Sequence, residues 1–164
     1  MKKLYGSLNN RLEEGQQFVK EIKVGDGVTE YGYTDRYPYE VVEVIDQNNI
    51  VIRKVDTRRI DNNGMSDCQE YEYISNEKNP TERLTRRNNV WFKVIEYSKE
   101  RFLERANKIQ DDFKNKEVAY NYIRCMAGLT ENQYKKIDEG KVVKKYVKKN
   151  ISVGIMEEYF DYSF

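Results

Sequence analysis

The hydrophobic period of this chain changes at Ser98. Before it, apolar residues alternate with polar ones about every second position; after it they recur about every 3.6 positions. That switch predicts an α+β fold, a small curled antiparallel β-sheet or barrel with a helical insertion before the last strand. "FVKEIKV" alternates from Phe18, Gly25-Asp26-Gly27 supplies a flexible turn, and "VTEYGYT" follows as a second strand. "YPYEVVEVIDQNNIVIRKV" reads as a hairpin whose β-branched arms flank Asp46-Gln47-Asn48-Asn49, where asparagine tolerates positive φ. Alternation sends Val42 and Val44 one way, and Val41 and Ile45 the other.

"DNNGMSD" is turn chemistry leading into the strand "QEYEYIS", and Pro80 breaks the chain before "TERLTRR". Asn88-Asn89 makes a tight turn into "VWFKVIEY", where Trp91 is the largest single contribution to a core. Beyond it, Ser98 is an N-cap, and Phe102, Ala106, Ile109 and Phe113 share a helix face. A second helix from Lys116 to Met126 carries Val118, Ala119, Tyr122 and Met126 and stops at Gly128. Thr130 with Gln133 forms a capping box, and Leu129 with Tyr134 a hydrophobic staple, at a third helix start. Gly140 interrupts that helix. "KVVKKYVKKN" reads as a short basic helix with Val143 and Val147 inward, and "ISVGIMEEYFDYSF" returns to β texture, pairing beside the Trp91 strand. The expected organisation is an N-terminal arm at 1–16, a β-rich core from 17–97 and 150–164, and a helical insertion at 98–149.

At 164 residues the chain suits one domain with a modest core. Only 38% of it is hydrophobic, so burial must draw on 14 Tyr, 6 Phe and Trp91. The 29 basic residues nearly balance 28 acidic ones, which argues against both a polyanion mimic and a general nucleic-acid coat. Histidine is absent, which removes the usual proton-transfer side chain near neutral pH and the commonest zinc nitrogen ligand. Cys68 and Cys125 fit neither a disulfide framework nor a zinc knuckle, and no stretch approaches a membrane span. The expectation is a cytoplasmic protein of the host cell that needs no cofactor and no metal and does not meet the membrane.

Four groups of residues compete as sites. Tyr31, Tyr33, Tyr37 and Tyr39 crowd one short segment where alternation puts them on one face, either as a protein-binding or base-stacking surface or as the outer edge of the core. Seven lysines against Asp138 and Glu139 between Gln133 and Lys149 either follow a phosphate backbone or form a solvated helix face. Of these, Lys135, Lys136, Lys144, Lys145 and Lys148 are the candidate contacts. "YIRCMAGLTENQYKKI" resembles a helix-turn-helix spanning 118–137, although Arg124 stands where that motif wants a small residue; a plain helical hairpin explains the same residues. Asp35, Asp61, Glu70 and Asp161 are the carboxylates that a two-metal nuclease would gather, against turn-capping roles for Asp35 and Asp61. Asp35 with Arg36 reads as an ion pair that fixes a loop. The calcium-loop register fails at "RIDNNGMSDCQEYEY", since neither Arg59 nor Asp61 in first place puts a glycine sixth with the required ligands.

"KLYGSLNNRLEE", "VGDGVTEYGYTDRYPYEVVEVIDQNNIVIRK", "DNNGMSDCQEYEY" and "EEYFDYSF" together resemble short accessory proteins encoded by phages and conjugative elements of Firmicutes. The likeness covers residues 4–97 and the last dozen, and leaves the helical insertion outside. Such proteins often carry histidine where this chain has Tyr37 and a serine-glutamate pair where it has Asp67-Cys68, so no site built on that histidine transfers. The resemblance implies a mobile-element context in which small anti-defence proteins, anti-CRISPR proteins among them, occupy the surface of a nuclease. It implies a non-enzymatic protein whose partner is a host defence protein or ribonucleoprotein, such as a CRISPR nuclease, with nucleic acid as a possible further partner and partner choice set by the insertion.

Overall fold

The computed structural model describes residues 21–66, 68–113 and 115–162, so the expected arm at 1–16 lies outside them. The fold is α+β. Among the described residues nine strands run as β1 (Gly27–Tyr31), β2 (Arg36–Asp46), β3 (Asn49–Lys54), β4 (Asp56–Arg59), β5 (Tyr71–Ile74), β6 (Thr81–Arg87), β7 (Val90–Tyr97), β8 (Val143–Lys149) and β9 (Ile151–Val153). Three α-helices, α1 (Lys99–Ile109), α2 (Lys116–Ala127) and α3 (Glu131–Asp138), lie between β7 and β8, with a short 3-10 turn at Gln110–Asp112 after α1. The main sheet has the order β8-β7-β6-β3-β2-β1-β9, and β4 with β5 forms a separate two-stranded sheet. The chain divides into two compact units, the described residues up to Lys93 together with those from Val147, and Val94–Tyr146.

In the first unit the order of strands closes on itself. β8 ends at Lys149 beside β7, and β9 begins at Ile151 beside β1, so Asn150 alone joins the two edges of the sheet. Lys149 accordingly reaches Glu30 on β1, at 2.5 Å. The curled sheet encloses Val28, Tyr39, Val41, Ile50, Ile52, Leu84, Trp91, Ile151 and Val153, with Ile22 added from the segment before β1. Burying a side chain such as Leu84 or Trp91 contributes roughly 1.5–3 kcal/mol. The second unit has its own apolar cluster of Tyr97, Phe102, Ala127, Ile137 and Val143, flanked by Ile95, Tyr120, Ile123, Leu129 and Tyr134.

Turn chemistry explains the hairpins. Asn88 and Asn89 both take positive φ, 49° and 60°, and join β6 to β7 as a two-residue loop with Arg87 paired to Val90. Between β2 and β3 the loop is Gln47-Asn48, and Asp46 there accepts from the Asn48 amide and the Asn49 side chain instead of using a positive-φ asparagine.

Several expectations need correction. The 18–24 strand falls partly outside the described residues, and Glu21–Val24 is not paired; Ile22 is held by the Gln47 side-chain amide, which accepts from Ile22 N at 2.7 Å and donates to Ile22 O at 3.1 Å. The register skips Val42 between Val41 and Glu43, and this bulge brings Val41 and Val44 to the same core instead of opposite faces. The expected basic helix at 141–150 is β8. Gly140, at φ 81°, ends the helical path, and the β-branched residues beyond it suit a strand beside β7. Val143 is buried there and Val147 is not. The strand beside Trp91's is therefore β8, while the final strand β9 pairs with β1.

Candidate functional site

The core faces of the first unit end in charge. On a strand, residues two apart share a face, and two positions from a buried core residue stand Glu30 (from Val28), Lys54 (from Ile52), Glu82 (from Leu84), Lys93 (from Trp91) and Lys149 (from Ile151). Register sets these side by side: Leu84 opposes Lys93, Ile52 opposes Glu82, Tyr39 opposes Lys54, and Glu30 opposes both Tyr37 and Ile151. Lys93 Nζ meets Glu82 Oε1 at 2.7 Å. Lys149 Nζ bridges Glu30 and Glu82, lying 3.7 Å from Glu82 Oε2, with all three side chains less than a fifth exposed. Glu82 Oε2 has no hydrogen-bond partner among the described residues; Lys149 faces it at 3.7 Å, and Lys93 compensates the same carboxylate through Oε1.

Two tyrosines close this network. Burial, and then the negative charge of Glu30, pushes the Tyr39 phenol far above its usual range, and burial with the Asp35 hydrogen bond raises Tyr37. Both remain protonated donors near neutral pH. The Lys54 ammonium lies over the Tyr37 ring, 5.3 Å from its centroid. The predicted tyrosine row is thus broken up. The turn at Gly32–Asp35, closed by Gly32 N donating to Asp35 O, places Tyr31 and Tyr37 on different strands. Tyr39 is a core residue, Tyr37 packs against the core, Tyr31 shares a hydrogen bond with Ser152, and Tyr33 at 99% exposure is alone in facing solvent fully.

The segment after β9 is clasped across the same unit. Ile155 O accepts from Thr29 Oγ1, and Glu157 N donates back to that hydroxyl. Glu157 pairs with Arg36 at 2.7 Å, and Arg36 exchanges backbone bonds with Tyr159. Arg36 and Asp35 therefore do not pair with one another; neighbours on extended chain diverge. Asp35 instead accepts from Tyr37 Oη and from Asp161 N. Burial pushes the Glu158 carboxyl above its usual range, with Lys54 opposing and Asp35 reinforcing the shift.

Of the four carboxylates considered for a metal, Asp35 and Asp161 come together through that backbone bond, while Asp61 is consumed elsewhere. Asp61 takes Arg59 Nε at 2.7 Å and Nη2 at 2.9 Å, plus the amides of Asn63 and Glu70, both at 2.8 Å. Four donors saturate a carboxylate and hold it well below its usual range, the Arg59 bond contributing most. Among the described residues no group of three or more Cys, Asp or Glu is placed to hold a metal ion.

In the second unit the α2–α3 pair has the expected caps. Asn115 caps α2, Gly128 ends it with φ 57°, and Thr130 and Gln133 form the capping box of α3. Arg124, the residue that weakens a helix-turn-helix, is the clamp between these helices. It forks onto Asp138 at 2.8 and 3.2 Å, stacks on Tyr134 (4.7 Å) and Tyr120 (5.7 Å), and its carbonyl accepts from Tyr134 Oη. The buried face of α2 carries Ala119 and Ala127, which leaves Val118, Tyr122 and Met126 exposed in one row.

The candidate lysines have different fates. Lys145 Nζ donates to Ala127 O at 2.9 Å and Gly128 O at 3.3 Å, capping the carbonyl end of α2. Lys144 pairs with Glu96 at 3.3 Å. Lys135 and Lys136 are exposed on α3, and Lys148, which falls in the first unit, is exposed on β8. Sequence reasoning missed Lys54, Lys93, Glu30, Glu82 and Glu158; charged residues at core parity were the legible signal for the first four. Compared with protein-family models, curated proteins and solved structures, the chain matches none of them.

Proposed function

We propose that this chain is a non-enzymatic binding protein of a mobile element that inhibits a host defence or nucleic-acid-processing complex, in the manner of an anti-CRISPR protein, by occupying its surface. The supporting observation is the separate apolar cluster of Val94–Tyr146, which gives the helices a fixed shape of their own. On that unit the uncharged row Val118, Tyr122 and Met126 has the i, i+4, i+8 spacing of a helix that docks in a partner's groove, and Lys135 and Lys136 stand exposed on the neighbouring helix. Lys145 is a structural cap in this reading, and Tyr33 is the solvent-facing tyrosine of the first unit.

The test is affinity capture from a CRISPR-bearing host with the unmodified chain and with Tyr122→Asp. The account expects a nuclease or its ribonucleoprotein to be retained by the first and lost from the second, with helical content unchanged. Equal retention would remove the helical unit from the interface. A DNA-binding regulator reading rests on exposed Lys135 and Lys136 at the α3 position of a recognition helix. A salt-dependent shift of naked duplex would favour it. A nuclease built on Asp35, Asp61 and Asp161 would have to cut plasmid in magnesium, despite the donors that already fill Asp61.

A further inference from the structure

Residues 154–162 lie along the first unit as a bound peptide would. Six backbone donors are met: Gly154 N by Gly27 O, Glu157 N by Thr29 Oγ1, Glu158 N by Tyr73 Oη, Tyr159 N by Arg36 O, Phe160 N by Gln69 Oε1 and Asp161 N by Asp35 Oδ1. Gln69 closes the second half of an amide clamp by donating to Phe160 O at 2.7 Å. Side chains add selectivity. Arg36 takes the Glu157 carboxylate and lies 5.6 Å from the Tyr159 ring, while Arg59 donates to Tyr162 Oη at 2.9 Å and lies 5.6 Å from its ring. Gly27 permits the close crossing, because a Cβ there would stand 2.7 Å from Met156 Cβ.

The groove between β1–β2 and the β4–β5 sheet thus offers two arginines, an amide clamp and hydroxyls. Its resident, "IMEEYFDY", offers three carboxylates and three aromatic rings. Side-chain donors and acceptors, in place of a continuous strand ladder, hold most of the resident backbone, and Gly154 at φ 106° precedes it as a pivot. Recognition of this form depends on extended shape and charge, which another segment can satisfy. We infer that this groove is an interaction site for an extended acidic–aromatic peptide of a partner protein, and that residues 155–162 occupy it in cis until such a peptide displaces them. The inference concerns the first unit and stands apart from docking by the helices.

A fluorescent peptide with the sequence of residues 154–162 is titrated into the full chain and into two variants, Glu157→Lys and Arg36→Glu. Glu157→Lys loosens the resident and leaves the groove intact, so the peptide should bind it at least tenfold more tightly than it binds the unmodified chain. Arg36→Glu should abolish binding, and a peptide carrying arginine in the Glu157 position should restore it. Equal affinity for all three chains, or none for Glu157→Lys at millimolar peptide, overturns the proposal. Concentration-dependent dimers in place of peptide capture also overturn it, by assigning the groove to a second copy of the chain. Should Glu157→Lys misfold, amide exchange in the unmodified chain decides: faster exchange at Glu158–Asp161 than in β2 and β3 supports a displaceable resident, and equal protection refutes it.

Discussion

Arg124 and Asp138 are joined by two parallel hydrogen bonds, Nη1 to Oδ1 at 2.8 Å and Nη2 to Oδ2 at 3.2 Å, across the turn between α2 and α3. The guanidinium is also stacked on two tyrosines, so its planarity matters as much as its charge. Asp138 is half exposed, which limits what the ion pair alone contributes. Arg124→Ala should destabilise the helical unit by about 1–3 kcal/mol, and Arg124→Lys should recover little of it. Thermal unfolding followed by helical circular dichroism measures both, and full rescue by lysine would refute the stacking account.

The acid limb of stability should depend on Asp61. Its folded pKa is lowered, first by Arg59, so its contribution is fully present above the ordinary aspartate value of about 3.9 and is lost as pH falls toward the folded value. Asp61→Asn should flatten the loss of stability between about pH 4 and pH 2. Denaturant melts across that range test it, and an unchanged acid limb in the variant would contradict it.

Glu158 carries the opposite sign. Burial raises its folded pKa, so the stability tied to its protonation is present below the ordinary glutamate value and lost as pH rises through the folded value. The clasp of residues 154–162 should therefore tighten on mild acidification, and Glu158→Gln should remove that dependence while stabilising the clasp near neutral pH. Carboxyl chemical shifts report the titration, and a Glu158 midpoint at or below that of an exposed glutamate would reject it.

Lys149 should be worth more than an ordinary edge lysine, because its removal takes from Glu30 its ion-pair partner and leaves Glu82 with Lys93 alone. With side chains 18% and 19% exposed, the cost of Lys149→Met should reach roughly 2–4 kcal/mol, discounted from a fully buried pair. Adding Glu30→Gln should return part of it. A double variant whose loss equals the sum of the losses of Lys149→Met and Glu30→Gln alone would show that the pair is not coupled.

The legible parts of the fold were those in which local chemistry and tertiary need agree. Asn88-Asn89, the Ser98 and Thr130 caps, and Gly128 each satisfy a backbone requirement that their own neighbours create, so each was readable. Val42 was not, because a bulge is set by the partner strand and moves Val44 to the other parity. Residues 143–149 carry valines that fit either period, and β7 decides the matter by lying alongside. The ionic network was half legible. Parity marks Glu30, Glu82 and Lys93 as facing inward, with Lys54 at the exposed end of the same face, yet the compensation of Glu30 depends on the curl that brings Lys149 across to β1. Glu158 gave no signal, since nothing local says that an irregular segment will be clasped.

Native-state hydrogen exchange on Phe102→Ala bears most directly on the statement that Val94–Tyr146 carries a hydrophobic core of its own, distinct from the cluster that the sheet encloses. Phe102 is fully buried in the helical cluster, and truncation should cost about 3–5 kcal/mol. The account expects protection to fall across α1, α2 and α3 while the amides of Val28, Ile52 and Leu84 keep theirs. Equal loss of protection in the sheet and the helices would contradict it.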